Sequence, residues 1–308
     1  MIPRNIYNIL IEQNLLRPDE RGSSPLLIKD SALKEGRLDN VFAYIKENQA
    51  HPEISTWLNF LKGCRQEFGQ MREKMGYWNK EKSHKLGHDQ WSVGWAGDAM
   101  LPFAAFLYAL KSYESEGVIL ECGAFKGSST ACLSIISDKL DMQLICADSF
   151  EGLPADEGHY SKGHFFGRLN EVQDNVAACG VPERVTYLQG WYAESLKGFK
   201  QPISLLWIDV DLQESTLDVL NNVYANLSTP SIIFSDGFTV GVDFTEDNQI
   251  VYTGGEAAGL HRFFKSRSIA YQAVPGWSKG LAIVHPTKDL DERILFDSQW
   301  FNDLVSLF

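Results

Sequence analysis

Val118-Ile-Leu-Glu-Cys-Gly-Ala-Phe-Lys-Gly-Ser-Ser-Thr130, followed by Leu144-Ile-Cys-Ala-Asp-Ser-Phe-Glu-Gly-Leu-Pro154, sets the reading of this chain. Val118 to Leu120 is a short aliphatic run of the kind that forms a strand buried on both faces of a parallel sheet. Glu121 stands at its carboxyl end, Gly123 and Gly127 permit a tight turn and close backbone approach, and Ser128, Ser129 and Thr130 suit the first turn of a helix running to about Leu140. Asp148 closes the second apolar run, with Ser149 after it, where an acid accepts hydrogen bonds from ribose hydroxyls. The candidate cofactor contacts of this βαβ unit are therefore Glu121, Gly123, Gly127, Ser128, Ser129, Asp148 and Ser149. A turn glycine beside a solvated acid is the bland alternative, and the paired strands and acids weigh against it.

The turn also excludes ligands. A dinucleotide fingerprint needs G-x-G-x-x-G, whereas Ala124 stands near Gly123 where a second glycine would admit a pyrophosphate. A phosphate-cradling loop needs Gly-Lys-Ser or Gly-Lys-Thr, yet Lys126 precedes Gly127. An adenosine ligand with an amino-acid tail and no phosphates remains, which is S-adenosylmethionine.

At 308 residues, 44% hydrophobic and 22% charged, the chain can bury a full core. A net charge of -12 argues against a nucleic-acid partner, since polyanion binding draws on clustered Lys and Arg. Cys64, Cys122, Cys132, Cys146 and Cys179 form no C-x-x-C pair and read as reduced core residues of a cytoplasmic protein. No secretory signal is apparent at the N-terminus, and the most apolar helical stretch, Ala99 to Leu110, is too short to cross a bilayer, so no membrane partner is expected.

Residues 1–92 read as a helical extension, with helices expected over Asn5 to Asn14, Ser31 to Asn48 and Ile54 to Met75. Trp57, Phe60, Leu61, Cys64 and Phe68 make an apolar stripe that packs on the catalytic domain or on a second subunit, which leaves a homodimer open. Residues 93–308 read as the catalytic domain. Further strands are expected at Val185 to Leu188, Ser204 to Ile208 and Ser231 to Phe234, separated by helices over Leu169 to Cys179 and Thr216 to Leu227. The last strands, Ala270 to Pro275 and Leu281 to His285, are joined by so short a link, Gly276 to Gly280, that they must pair antiparallel. The fold class is α/β: a seven-stranded, mostly parallel sheet with helices on both faces and a C-terminal antiparallel hairpin, the Rossmann-like architecture of methyltransferases, plus the helical N-terminal extension.

Leu120 to Ser129, Ala147-Asp-Ser-Phe-Glu-Gly-Leu-Pro154, Gly190-Trp-Tyr192 and Trp207-Ile-Asp-Val-Asp-Leu-Gln-Glu-Ser-Thr216 together resemble the macrocin O-methyltransferases, which methylate hydroxyls on sugars of natural products. The resemblance covers about Asp98 to His285. It implies a pocket for S-adenosylmethionine, a magnesium ion held by aspartates, and a nearby aspartate as base. Asp209 and Asp211, two apart, project to one side if strand geometry persists, and Asp236 ends the next strand roughly 4.8 Å away. Asp209 and Asp236 are the candidate magnesium ligands and Asp211 the candidate base. Relatives carry consecutive aspartates where this chain has Ser235-Asp236, so Ser235 would be a weak neutral ligand. The bland alternative is that Asp209 and Asp211 cap the helix that follows.

Glu151 to Gly167 is long, polar and dotted with glycines, as expected of a lid, and His159 or His164 is the base if the metal is missing. Trp191, with Tyr192, is placed to cover an adenine ring or to pack in the core. The expected function is magnesium-assisted methyl transfer from S-adenosylmethionine to a hydroxyl, on a sugar or polyol, of a small polyhydroxylated or glycosylated natural-product metabolite. A metal-independent methyltransferase and a non-catalytic protein that binds S-adenosylmethionine are the alternatives.

Overall fold

A computed structural model of the chain describes residues 2–16, 28–29, 38–86, 97–239, 242–244, 250–269, 273–274, 281–285, 294–295 and 304–307. The central sheet has seven strands. In chain order they are β1 (Val118–Cys122), β2 (Leu144–Asp148), β3 (Val185–Gln189), β4 (Ile203–Ile208), β5 (Leu227–Ser235), β6 (Ala273–Val274) and β7 (Leu281–His285). They lie side by side as β3-β2-β1-β4-β5-β7-β6. The first five are mutually parallel, and β7 runs antiparallel to both β5 and β6. The antiparallel end is thus as expected, although residues 275–280, which hold its expected connection, lie outside the described residues.

Two apolar layers clothe this sheet, and strand alternation sorts residues between them. Ile119, Leu144, Cys146, Leu205, Trp207 and Phe234 face helices α4 (Leu101–Ser112), α5 (Ser128–Leu140) and α6 (Leu169–Cys179). Leu120, Ile145, Leu206, Ile208 and Ile233 face α8 (Gln213–Val223) and α9 (Gly255–Ser266), with the single-turn α7 (Tyr192–Ser195) beside α8. The N-terminal helices α1 (Arg4–Glu12), α2 (Leu38–Glu47) and α3 (Pro52–Leu86) extend the first layer. Ile6, Val41, Trp57, Leu61, Cys64 and Phe68 are buried in the same cluster as Phe103 of α4 and Trp207 of β4. Of the two alternatives for the Trp57 stripe, packing on the sheet's own helices is the one found. Leu304 and Val305 join that cluster, and Arg65 donates to the Val305 carbonyl at 3.2 Å.

Most element bounds differ modestly from expectation, but the helix expected over Ile54 to Met75 spans Pro52–Leu86. The first part of the expected Ser31 to Asn48 helix lies outside the described residues, and the helix expected over Thr216 to Leu227 instead spans Gln213–Val223. Two short antiparallel pairs, Ile28–Lys29 with Ile294–Leu295 and Val242–Phe244 with Ile250–Tyr252, were not legible in the sequence. All five cysteines are buried and none is in a disulfide. No helix among the described residues is long and apolar enough to cross a membrane.

Candidate active site

Register aligns the site. Cys122 pairs with Ala147 on one side and with Ile208 on the other, and Ile208 pairs with Ser235. The next residues of these strands, Gly123, Asp148, Asp209 and Asp236, therefore emerge abreast at the carboxyl edge of the sheet, where open α/β folds bind ligands.

Gly123 has φ 97°, and a Cβ there would meet the Asp209 carbonyl oxygen at 1.8 Å, so only glycine lets the ends of β1 and β4 approach. Asp148 fixes the same turn. Its Oδ2 accepts the Ala124 amide at 2.7 Å and its Oδ1 the Phe150 amide at 2.6 Å. Burial raises the Asp148 carboxyl above its ordinary range, and these amide donors oppose that shift. Gly127, at φ 85°, precedes α5, and a Cβ would stand 2.9 Å from the Val172 side chain, so its freedom serves the packing of α5 on α6.

A cavity of about 250 Å³ opens at this edge. Of the expected site residues, Gly123, Asp148, Ser149, Trp191, Asp209, Asp211 and Asp236 line it. Glu121, Gly127, Ser128, Ser129, His159 and Ser235 do not. Glu121 is displaced because β1 runs through Cys122, two residues beyond the expected strand end, which leaves the acid inside the sheet opposite Cys146 and Trp207. Fully buried, it accepts the Ser129 hydroxyl at 2.5 Å, and burial pushes its carboxyl up to about 7. Ser129 is thus Glu121's partner, with its side chain directed away from the cavity.

The acids at the ends of β4 and β5 are held by residues the sequence reading did not single out. Strand geometry does not persist past Ile208: Asp211 has φ 61°, in the left-handed region. Asp209 and Asp211 nevertheless share the cavity, because Glu256 of α9 ties this turn to the next strand. One Glu256 oxygen accepts the amides of Val210 at 2.6 Å and Asp211 at 3.0 Å. The other accepts the Gly237 amide at 2.9 Å and the Ser235 hydroxyl. Glu256 is fully buried, and burial followed by the Asp211 charge pushes its carboxyl up to about 7. Burial, then the Asp236, Glu256 and Asp211 charges, drive Asp209 well above the carboxylate range. Asp211 is pushed up to about 6 by burial, opposed by a hydrogen bond from the Tyr160 hydroxyl.

Neither Asp209 nor Asp211 caps α8. Its first amide, Gln213, donates to both oxygens of Glu157, at 3.2 and 3.1 Å, and Glu157 also accepts the Gly255 amide that opens α9 at 2.5 Å. One lid carboxylate thereby anchors the Glu151 to Gly167 segment to two helix starts. On that lid, the His159 ring stacks on Tyr160 at 4.1 Å, and it is Tyr160 that lines the cavity. Glu256 carried a sequence signal: with Leu260 and Phe263 it occupies positions i, i+4 and i+7 of one apolar stripe, where an acid is out of place.

The magnesium set does not assemble. Ser235, an expected ligand, spends its hydroxyl on Glu256. Among the described residues no three His, Cys, Asp or Glu side chains group so as to hold a metal ion. Of the expected ligands Asp209 and Asp236 alone remain on the cavity, so an ion there would take most of its shell from water.

The family described as Macrocin-O-methyltransferase (TylF) matches residues 38–248. The match begins at α2, so α2 and α3, which the sequence resemblance left outside, fall within it. The 8-demethyl-8-(2,3-dimethoxy-alpha-L-rhamnosyl)-tetracenomycin-C 4'-O-methyltransferase of Streptomyces olivaceus is 26% identical over 174 residues, 50% of this chain and 67% of that one. Demethyldecarbamoylnovobiocin O-methyltransferase of Streptomyces niveus is 27% identical over 138 residues, 40% of this chain and 53% of that one. Among solved structures, the O-methyltransferase NovP is similar at TM-score 0.45 and 20% identity, over 56% of this chain and 74% of that one. The calicheamicin methyltransferase CalS11 is similar at TM-score 0.47 and 16% identity, over 72% and 92%. With two thirds of its length matched by one family, this chain belongs to the macrocin-O-methyltransferases, a family of O-methyltransferases.

Proposed function

We propose that the protein transfers a methyl group from S-adenosylmethionine to a hydroxyl of a small polyhydroxylated or glycosylated natural-product metabolite. The observation that carries this reading is one cavity lined both by Asp148, Ser149 and Trp191 and by the acids Asp209, Asp211 and Asp236. Among the described residues none of those that line it is Lys, Arg or His, which suits a cationic sulfonium. When bound, S-adenosylmethionine supplies an electrophilic methyl group. Asp148 would take the ribose hydroxyls, Trp191 the adenine face, and the Gly123 turn would let the backbone approach.

Asp211 accepts the proton of the acceptor hydroxyl as its oxygen attacks, while Tyr160 holds that carboxylate toward the cavity. His159, directed onto Tyr160 and off the cavity, has no part in this proposal. Of the two enzymatic alternatives, the metal-independent one fits the residues better, and no step here is routed through magnesium. One relative is named for a rhamnosyl-bearing tetracenomycin, which supports a glycosylated acceptor. The buried cysteines, none of them in a disulfide, support action in the cytoplasm.

The test is incubation with methyl-labelled S-adenosylmethionine and a panel of glycosides and phenols, with products resolved by mass spectrometry. Labelled methyl ether on a hydroxyl is expected. Cofactor binding with no product from any acceptor would favour the non-catalytic alternative.

A further inference from the structure

The lid presents an aromatic surface that methyl transfer itself does not use. Among the described residues the exposed large hydrophobic side chains are Phe165 and Phe166, at 46% and 45%. Phe166 has a partner, the Arg168 guanidinium 5.8 Å from its ring centre. Phe165 instead lines the cavity. It does so with φ 56°, a conformation that a bulky side chain adopts only where its surroundings impose it. Those surroundings are defined: the Leu153 amide donates to the His164 carbonyl and the Gly163 amide to the Leu153 carbonyl, both at 2.9 Å, so the lid is folded back on itself at the residue before Phe165.

Phe165 also has aromatic neighbours. The Phe125 ring, on the glycine turn, meets it edge-on at 5.7 Å and 87°. Tyr160 lies 5.9 Å away on the other side, and Tyr160 and Asp211 line the same cavity. One residue therefore joins the proposed base to the aromatic wall. We infer that Phe125 and Phe165 form a subsite for a flat aromatic group attached to the hydroxylated ring that Asp211 engages, so that the acceptor is an aryl glycoside and not a free sugar. This rests on the methyl-transfer reading and narrows its acceptor.

Continuity assigns the occupant. The proposed nucleoside contacts are Asp148, Ser149 and Trp191, whereas Tyr160 ties Phe165 to the acids where the acceptor must lie. A half-exposed ring with an open face gains from stacking against another flat ring, and a sugar alone offers less matching apolar surface.

Calorimetry with 2-naphthyl α-L-rhamnoside and methyl α-L-rhamnoside, in the presence and absence of S-adenosylhomocysteine, tests the subsite without requiring turnover. The wild-type protein should bind the naphthyl compound about tenfold more tightly, as one aromatic contact allows. Phe165→Ala should abolish the preference, Phe165→Tyr should keep it, and neither should alter the Kd for S-adenosylhomocysteine. Binding of both rhamnosides alike, or of neither, would overturn the inference. So would weakened S-adenosylhomocysteine binding in Phe165→Ala, which would assign the ring to the donor, or an altered sedimentation mass, which would assign it to a protein contact. A Phe165-dependent preference in a protein that methylates no member of the glycoside and phenol panel would uphold the subsite while sinking the methyl-transfer reading.

Discussion

Glu256 accepts the backbone amide of Asp211 at 3.0 Å, so the proposed base is held in a left-handed conformation by a carboxylate from a helix that begins more than forty residues later in the chain. The same side chain receives Ser235 and Gly237, which flank Asp236 in sequence. A buried acid with no cation partner among the described residues is costly, and all four of its donors sit beside the candidate acids. Its position is explained by the site it shapes.

Glu256→Gln should therefore be damaging despite its near-identical shape, because the amide nitrogen would face hydrogen-bond donors. A stability loss of about 1–3 kcal/mol is expected, together with a kcat fall of at least about tenfold. Ser235→Asp, which sequence resemblance alone would make a restorative change, should instead set a second carboxylate against Glu256 and lower Tm at neutral pH. Thermal denaturation of both variants checks this, and a Ser235→Asp protein as stable as the parent would refute it.

Asp211→Asn should lower kcat by about 100- to 10,000-fold, the range that general-base groups supply, with the Kd for S-adenosylhomocysteine unchanged. Tyr160→Phe, which keeps the ring and removes the hydroxyl, should cost about tenfold. Single-turnover rates with a confirmed acceptor distinguish the two. A fully active Asp211→Asn enzyme would remove the base.

Chelation bears on the ligand set directly. With Ser235 committed to Glu256, methyl transfer should survive dialysis against EDTA with less than about a twofold change, well under the several kcal/mol a Lewis acid supplies. Loss of activity that magnesium restores would show that Asp209 and Asp236 recruit the ion after all.

Glu121 gives a pH dependence of stability remote from the acceptor. Its folded-state carboxyl is raised to about 7 from an ordinary 4.5, so its stabilising contribution is full below 4.5 and is lost as pH rises through about 7. Glu121→Gln should flatten the decline in Tm between pH 5 and pH 8 relative to the parent, and scanning calorimetry across that range would show it. An unchanged slope would mean that Glu121 titrates normally.

Much of the fold was legible because local signals agreed with the global one. Val118 to Leu120 and Ser204 to Ile208 are apolar on both faces, as interior parallel strands must be, and Leu169 to Cys179 was read to the residue. Asp148, Asp209 and Asp236 were found because they close or directly follow such strands, and Asp211 through its spacing of two from Asp209. Glu121 was assigned to the ligand because the strand end was placed two residues early, and a shift of that size decides whether an acid enters the pocket or the sheet. Glu157, Tyr160 and Glu256 were missed for a different reason. Each reaches the site by tertiary contact from a lid or a distant helix, and no local pattern encodes which turn it will meet.

Isothermal titration of S-adenosylhomocysteine into the folded protein tests the central claim most directly. One site per chain is expected, with Asp148→Ala weakening it at least about tenfold through loss of the ribose contact and of the Ala124 amide's partner. No detectable heat of binding to folded wild-type protein, or equal affinity in Asp148→Ala, would contradict it.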